Sequence, residues 1–325
     1  MQKSVIFRPK SLSLAVATIL GVAVMPAQAT LLNYTISTET GYQIGDPLYD
    51  EDSNSDSDPS WSSSYIDRYG SDADTSGGAS GNDVGWMYSR SYGVGAHYHQ
   101  FSTVTQSVDV LNSSGLAQLY SYDFSINRGS LDAENYGFTT SEEFSTAGYI
   151  VDISVDGNSL WSSMFTLDTD INGSQATYSG TMLGSYQNGD SYYWWSAFSD
   201  TLNLGVWGAG ESFNLTYSIT TFVQGNHLKS CDNGYGNYGT ANLASVSAVT
   251  EDCGYGEYGE YGYWGSYTGY TYAQFGDPNG FSTVPVAFND NNIRQNSTSV
   301  PEPASIALLG AGLAGLAFRR RRKTQ

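Results

Sequence analysis

The sequence predicts an all-β fold, an antiparallel β-sandwich of jelly-roll type, flanked by a signal peptide and a C-terminal transmembrane helix. Three observations carry that expectation. Side chains alternate with a period of two through the interior, Asp-Gly and Asn-Gly pairs punctuate the alternating runs, and long apolar segments with cationic flanks stand only at the two ends.

At the amino end, Lys3, Arg8 and Lys10 precede the apolar run Ser11–Val24, which leads into Pro26 and Ala27-Gln28-Ala29. A basic start, a short apolar centre and an A-x-A ending describe a secretory signal peptide over 1–29. Signal peptidase would cut it between Ala29 and Thr30. The run is too short, and its ending too small, for a transmembrane anchor.

Residues 30–228 form the predicted sandwich domain. In YSYDFSI, Tyr120, Tyr122, Phe124 and Ile126 share one face; in YIVDISV, Tyr149, Val151, Ile153 and Val155 do the same. FNLTYSI sets Phe213, Leu215, Tyr217 and Ile219 against Asn214, Thr216 and Ser218. Aromatic and β-branched residues at this period make half-buried strands. Asp156-Gly157 and Asn172-Gly173 suit tight hairpins, because both central residues can take positive φ.

Residues 229–280 change composition. CDNGYGNYG and CGYGEYGEYGYWG alternate tyrosine with glycine and small polar residues, which cannot fill a conventional core. One reading is a flexible insertion pinched by a Cys231–Cys253 disulfide, the default for an isolated pair of exported thiols. The other is a sticky surface, since tyrosine offers sugars or proteins a flat face and a hydroxyl. In residues 281–299, Thr283–Phe288 reads as a last strand, confined to an edge by Pro285. Asn289–Ser299 reads as a linker.

The portion between the signal peptide and Val300 carries thirty-one carboxylates against Arg68, Arg90, Arg128, Lys229 and Arg294. Such a surface repels nucleic-acid phosphates, so nucleic acid is not an expected partner.

Candidate chemistry is sparse. Asp50, Asp52, Asn54, Asp56 and Asp58 occupy alternate positions, but Ser55 and Trp61 stand where a calcium loop needs glycine and a bidentate glutamate. A solvated acidic loop is the plainer reading. Asp168, Asp170 and Asn172 match the start of a Ca²⁺ loop, with Ser179 in place of its glutamate, and a simple hairpin turn explains them equally. His97 and His99 have a spacing zinc can use on a strand but lack a third ligand nearby, with only His227 elsewhere. No nucleophile elbow, zinc-helix motif or phosphate loop occurs. The expectation is therefore a protein that is not an enzyme and needs no cofactor beyond possible Ca²⁺.

The chain ends with SVPEPASIALLGAGLAGLAFRRRRKTQ. Ala304–Phe318 would span about 22 Å as a helix, short of the roughly 30 Å hydrocarbon core. Snorkelling by Arg319, Arg320, Arg321, Arg322 and Lys323 extends it, and the same cations form a cytoplasmic stop. Pro301-Glu302-Pro303, an apolar Gly/Ala-rich segment and an arginine cluster together resemble the PEP-CTERM sorting signal of Gram-negative bacteria. The resemblance covers residues 300–325. It implies that an exosortase acts at Pro301, Glu302 and Pro303 after transient residence in the inner membrane, and that the product reaches the cell surface or an exopolysaccharide matrix. The expected function is that of a structural protein there. A carbohydrate-binding sandwich using aromatics such as Trp194, Trp195 and Trp264 is the alternative, and a secreted hydrolase a more distant one.

Overall fold

The structure, a computed structural model, describes residues 29–45, 48–70, 73–83, 85–227, 229–231, 265–267, 269–276 and 293–296. Among these, every regular element is a β-strand. In chain order they are β1 (Ala29–Gly45), β2 (Leu48–Asp58), β3 (Trp61–Arg68), β4 (Ala73–Asn82), β5 (Met87–Gly95) and β6 (Tyr98–Asn112). Next come β7 (Gln118–Ile126), β8 (Gly129–Asn135), β9 (Phe144–Val155), β10 (Asn158–Asp170), β11 (Gly173–Gly180) and β12 (Tyr192–Trp195). The last are β13 (Phe198–Trp207), β14 (Ser212–Asn226), β15 (Lys229–Cys231), β16 (Gly265–Tyr267), β17 (Gly269–Phe275) and β18 (Ile293–Asn296).

The pairing is antiparallel throughout. Sheet A runs β11-β10-β9-β14-β6-β1-β2 and sheet B runs β12-β8-β17-β5-β4-β3. Sheet C is β13-β7-β18, and β15 pairs with β16. Sheets B and C pack side by side on one face of sheet A. The odd-numbered side chains of β14 show this: Phe213 stacks on Trp207 of sheet C, while Thr221 bonds Ser89 of sheet B at 2.8 Å. The all-β, antiparallel expectation holds, and the three quoted alternating runs fall inside β7, β9 and β14 with their apolar faces buried.

The interior has two halves of different chemistry. Under β9, β10 and β17 it is aromatic: Phe165 stacks on Tyr193 at 3.8 Å, and Tyr149 and Phe275 enclose Trp195. Complete burial of one such ring contributes about 1.5–3 kcal/mol. Between β1–β6 and β3–β5 it is built from small and hydroxylated residues. Thr38 meets Ser62, Thr40 meets Ser102, and Gln100 Nε2 donates to Thr40 Oγ1. Glycines on β4 let the sheets approach here. A Cβ on Gly77 would lie 2.6 Å from Thr40 Oγ1 and 2.7 Å from Ser102 Oγ, and closer still to Gln100 Nε2.

Several expectations need correction. Asp50–Asp58 is not a loop but most of β2, an edge strand on β1. Its even-numbered residues face the same side as buried Ile36, Thr38 and Thr40, toward the free edge of β3. There Asp56 accepts from Ser63 N at 3.0 Å, Asp58 from Ser60 N at 2.7 Å, and Asn54 Nδ2 donates to Tyr65 O at 3.2 Å. Alternating carboxylates thus satisfy backbone N–H groups around an edge that would otherwise invite another chain.

The Asp156-Gly157 hairpin has both residues at positive φ, 49° and 77°, as its sequence requires. The second hairpin is shifted by one residue. Asp170 pairs with Gly173, so Ile171-Asn172 is the central pair, and Asp170 Oδ1 holds it by accepting from Asn172 N at 2.7 Å.

Seven residues of the segment read as an insertion, Gly269–Phe275, form β17 in the middle of sheet B. Their alternating burial places Thr271, Ala273 and Phe275 inside. Within the segment read as a linker, Ile293–Asn296 forms the edge strand β18, anchored by fully buried Ile293. Thr283–Phe288 lies outside the described residues. So does the C-terminal apolar run; among the described residues no helix is long and apolar enough to cross a membrane.

Candidate functional site

The outer face of sheet B gathers most of the exposed aromatic side chains, Tyr178 on sheet A being an exception. Antiparallel register makes directly opposed residues share a face, and two rows cross all six strands. The first is Trp194–Ser130–Gln274–Arg90–Gly78–Tyr65. The second is Tyr192–Asp132–Tyr272–Tyr92–Ser76–Asp67. At one margin Trp61 stacks on Trp86 (5.6 Å, 7°) and Trp86 on Tyr88 (6.0 Å, 14°). At the other, Tyr270 packs between Tyr92 and Tyr136. Six strands at about 4.8 Å spacing make the face roughly 24 Å wide.

Sequence alone places these rings outside, because alternation that buries Tyr193 and Trp195 must expose Tyr192 and Trp194. Trp195 is in the core, its Nε1 donating to Asn127 O at 2.9 Å, whereas Trp194 is 59% exposed. Of the two described tryptophans expected to contact sugar, then, Trp194 faces solvent and Trp195 does not. Trp264 lies outside the described residues. Trp61, Trp86, Tyr88 and Tyr272 were missed by sequence reasoning, although the stretches WSSSYIDR, WMYSRSY and YTYAQF that contain them carry the same period.

Polar groups within this face serve the rings. Asp132 accepts from Tyr270 Oη at 2.7 Å, and Asp67 from Tyr65 Oη. Burial, reinforced by neighbouring Glu134, pushes the Asp132 carboxyl up to about 6. Arg90 donates to Ser76 Oγ at 3.1 Å.

The other arrangement with catalytic residue types is sealed. His227 Nε2 lies 2.8 Å from Ser145 Oγ, and Glu143 is close enough to influence the imidazole. All three are buried at the seam of sheets A and B, and the Phe138 ring stacks on His227. Glu143 Oε2 already accepts from Thr139 N at 2.6 Å and Thr140 N at 2.9 Å. Desolvation holds His227 down at about 4. This is a neutral core histidine beyond reach of substrate.

The sequence-predicted metal candidates do not assemble. Asp168 accepts from Thr146 Oγ1 at 2.7 Å on the outer face of β10, while Asp170 and Asn172 bond each other in the turn. His97 sits in the turn before β6 with φ 43°, and half-buried His99 follows on the strand beside Phe101. Among the described residues no three His, Cys, Asp or Glu side chains converge as a metal site.

Cys231 ends β15, and Cys253 lies outside the described residues, so the expected disulfide does too. β1 begins at Ala29, one residue before the expected mature terminus Thr30. Pro301, Glu302, Pro303 and the cations Arg319–Lys323 fall outside the described residues.

No curated protein and no solved structure matches the chain. One family model does: residues 299–322 match the PEP-CTERM protein-sorting motif. The ending of this chain is therefore a PEP-CTERM protein-sorting motif, a signal of the kind recognised by exosortases, which points to export and sorting toward the cell surface.

Proposed function

We propose that the protein is a non-enzymatic structural component of the cell surface or exopolysaccharide matrix of a Gram-negative bacterium, delivered there by an exosortase. The sorting motif at 299–322 is the observation that carries this reading. Signal peptidase frees Thr30, the apolar segment Ala304–Phe318 crosses the inner membrane as a helix, and Arg319–Lys323 hold its cytoplasmic end. The folded domain reads as an elaborated jelly roll. The return of β14 to lie beside β9, the first strand of the hairpin run β9-β10-β11, supports this, since that order is a Greek key.

The test is to replace Pro301, Glu302 and Pro303 together with alanine. Translocation should persist while the protein accumulates at the inner membrane with its tail, detected by fractionation and intact mass. Equal release of mutant and wild type, both without the tail, would refute the sorting role.

A second reading, a carbohydrate-binding sandwich, is favoured by one specific observation: the aromatic outer face of sheet B.

A further inference from the structure

We infer that the outer face of sheet B binds an uncharged polysaccharide laid across the strands, with Trp194 and Trp61 as its outer contacts. The inference deepens the carbohydrate-binding reading and rests on it.

Segregation is the first argument. The exposed aliphatics Leu32, Leu48, Leu116, Ile150, Leu160, Ile171 and Val206 all lie off sheet B, whereas four of the seven exposed aromatics among the described residues, Trp61, Tyr65, Tyr192 and Trp194, are on it; Tyr69 and Tyr136 directly follow its strands β3 and β8, and Tyr178 stands on sheet A. A lipid or an apolar protein partner is matched by aliphatic surface. Rings with hydroxyl and indole N–H edges instead match a ligand that is apolar on its C–H faces and polar around its rim. Sugar rings have that character.

Charge is the second. The face carries Asp67, Asp74, Asp132 and Glu134 but only Arg90 as a cation. Like-charge apposition disfavours an anionic polymer and equally a second copy of this face. Three of the carboxylates are already engaged: Asp132 by Tyr270, Asp67 by Tyr65, and Asp74 by Gly70 N at 2.9 Å. They orient tyrosines and backbone and are not spare anchors for a cationic ligand. Neutral sugar is the chemistry left.

Width is the third. A surface about 24 Å across, with aromatic rings at both margins and between them, suits an extended polymer better than a single sugar. Contacts of modest strength then add along one chain.

The secreted protein should be titrated by calorimetry with xyloglucan and dextran as neutral probes, alginate as the anionic one and chitosan oligomers as the cationic one. Binding to a neutral probe, insensitive to added salt and weakened roughly tenfold or more by Trp194→Ala and by Trp61→Ala, is expected. Both side chains are about half exposed or more, so neither change threatens folding, and Tyr178→Ala on sheet A should leave affinity unchanged. Salt-sensitive binding to alginate or chitosan alone would overturn the neutral-ligand inference while keeping the carbohydrate-binding reading. Binding to none would overturn both. A dimer in sedimentation that Trp194→Ala dissociates would assign the face to self-association and overturn the inference as well.

Discussion

His227→Gln should remove an acid-dependent loss of stability whose size follows from the seam between the sheets. The imidazole is buried against Phe138 and Tyr98, with Ser145 on Nε2 and no hydrogen-bond partner for Nδ1 among the described residues. Burial holds its pKa near 4, although the Glu143 carboxylate pulls the other way. An unfolded histidine titrates near 6.5. Between those values the unfolded chain binds a proton that the folded chain refuses. Stability is therefore complete above pH 6.5, falls as the pH drops toward 4, and levels off below. A separation of about 2.5 pH units at about 1.4 kcal/mol each gives a loss of about 3 kcal/mol.

Glutamine keeps a polar group near Ser145 but does not titrate. The variant will be less stable than wild type at neutral pH because the ring packing is lost. The gap between the two should then close by about 3 kcal/mol between pH 7 and pH 4, read from urea midpoints at stepped pH. Asp132, raised to about 6, acts in the opposite sense by gaining stability as the pH falls through that value. It is common to both proteins and drops out of the difference. Parallel pH profiles would refute the reasoning.

Two further predictions concern packing and edges. Gly77→Ala drives a methyl into Thr40, Ser102 and Gln100 and should cost about 1–3 kcal/mol in urea unfolding. Gly78→Ala, on the outer face where the added Cβ first meets the Tyr65 ring at 3.0 Å, should cost less. Replacing Asp56 and Asp58 with valine removes the acceptors for Ser63, Ser60 and Trp61 N–H. Light scattering should then report self-association absent from wild type; clear solutions of the variant would show that the edge needs no such cover.

Strands with one apolar face were legible from sequence. Tyr149, Val151, Ile153 and Val155 announce β9 because a period of two is visible wherever polar and apolar residues alternate. β2 was not recognised, since both of its faces are polar and its repeat of aspartates imitates a calcium loop. β17 was hidden for a related reason. YTYAQF has the right period, but it follows a tyrosine-rich stretch of similar composition, and only its partners β5 and β8 reveal it as interior. β18 is too short for any period to show, and a single buried isoleucine fixes it. The aromatic face was half legible: alternation says which rings point outward, but only the register brings Trp194, Tyr272, Tyr92 and Tyr65 onto one surface.

The position of β17 has a consequence for the order of events in the cell. Thr271 lies opposite Gly93, and its hydroxyl bonds a carbonyl 178 positions earlier in the chain. Until residue 275 has emerged, sheet B has a slot at its centre, with β5 and β8 each missing a neighbour. β14 leaves a comparable slot in sheet A until residue 226. Closing such distant pairings is slow, because the intervening chain must be ordered before the contacts that reward it exist. On the export route proposed above, a polypeptide threading outward from its amino end would remain without its completed sheets for most of its length. The strand that completes the second sheet emerges just ahead of the segment that begins at residue 299. A chain cut short before β17 therefore lacks both the central strand of sheet B and the sorting motif.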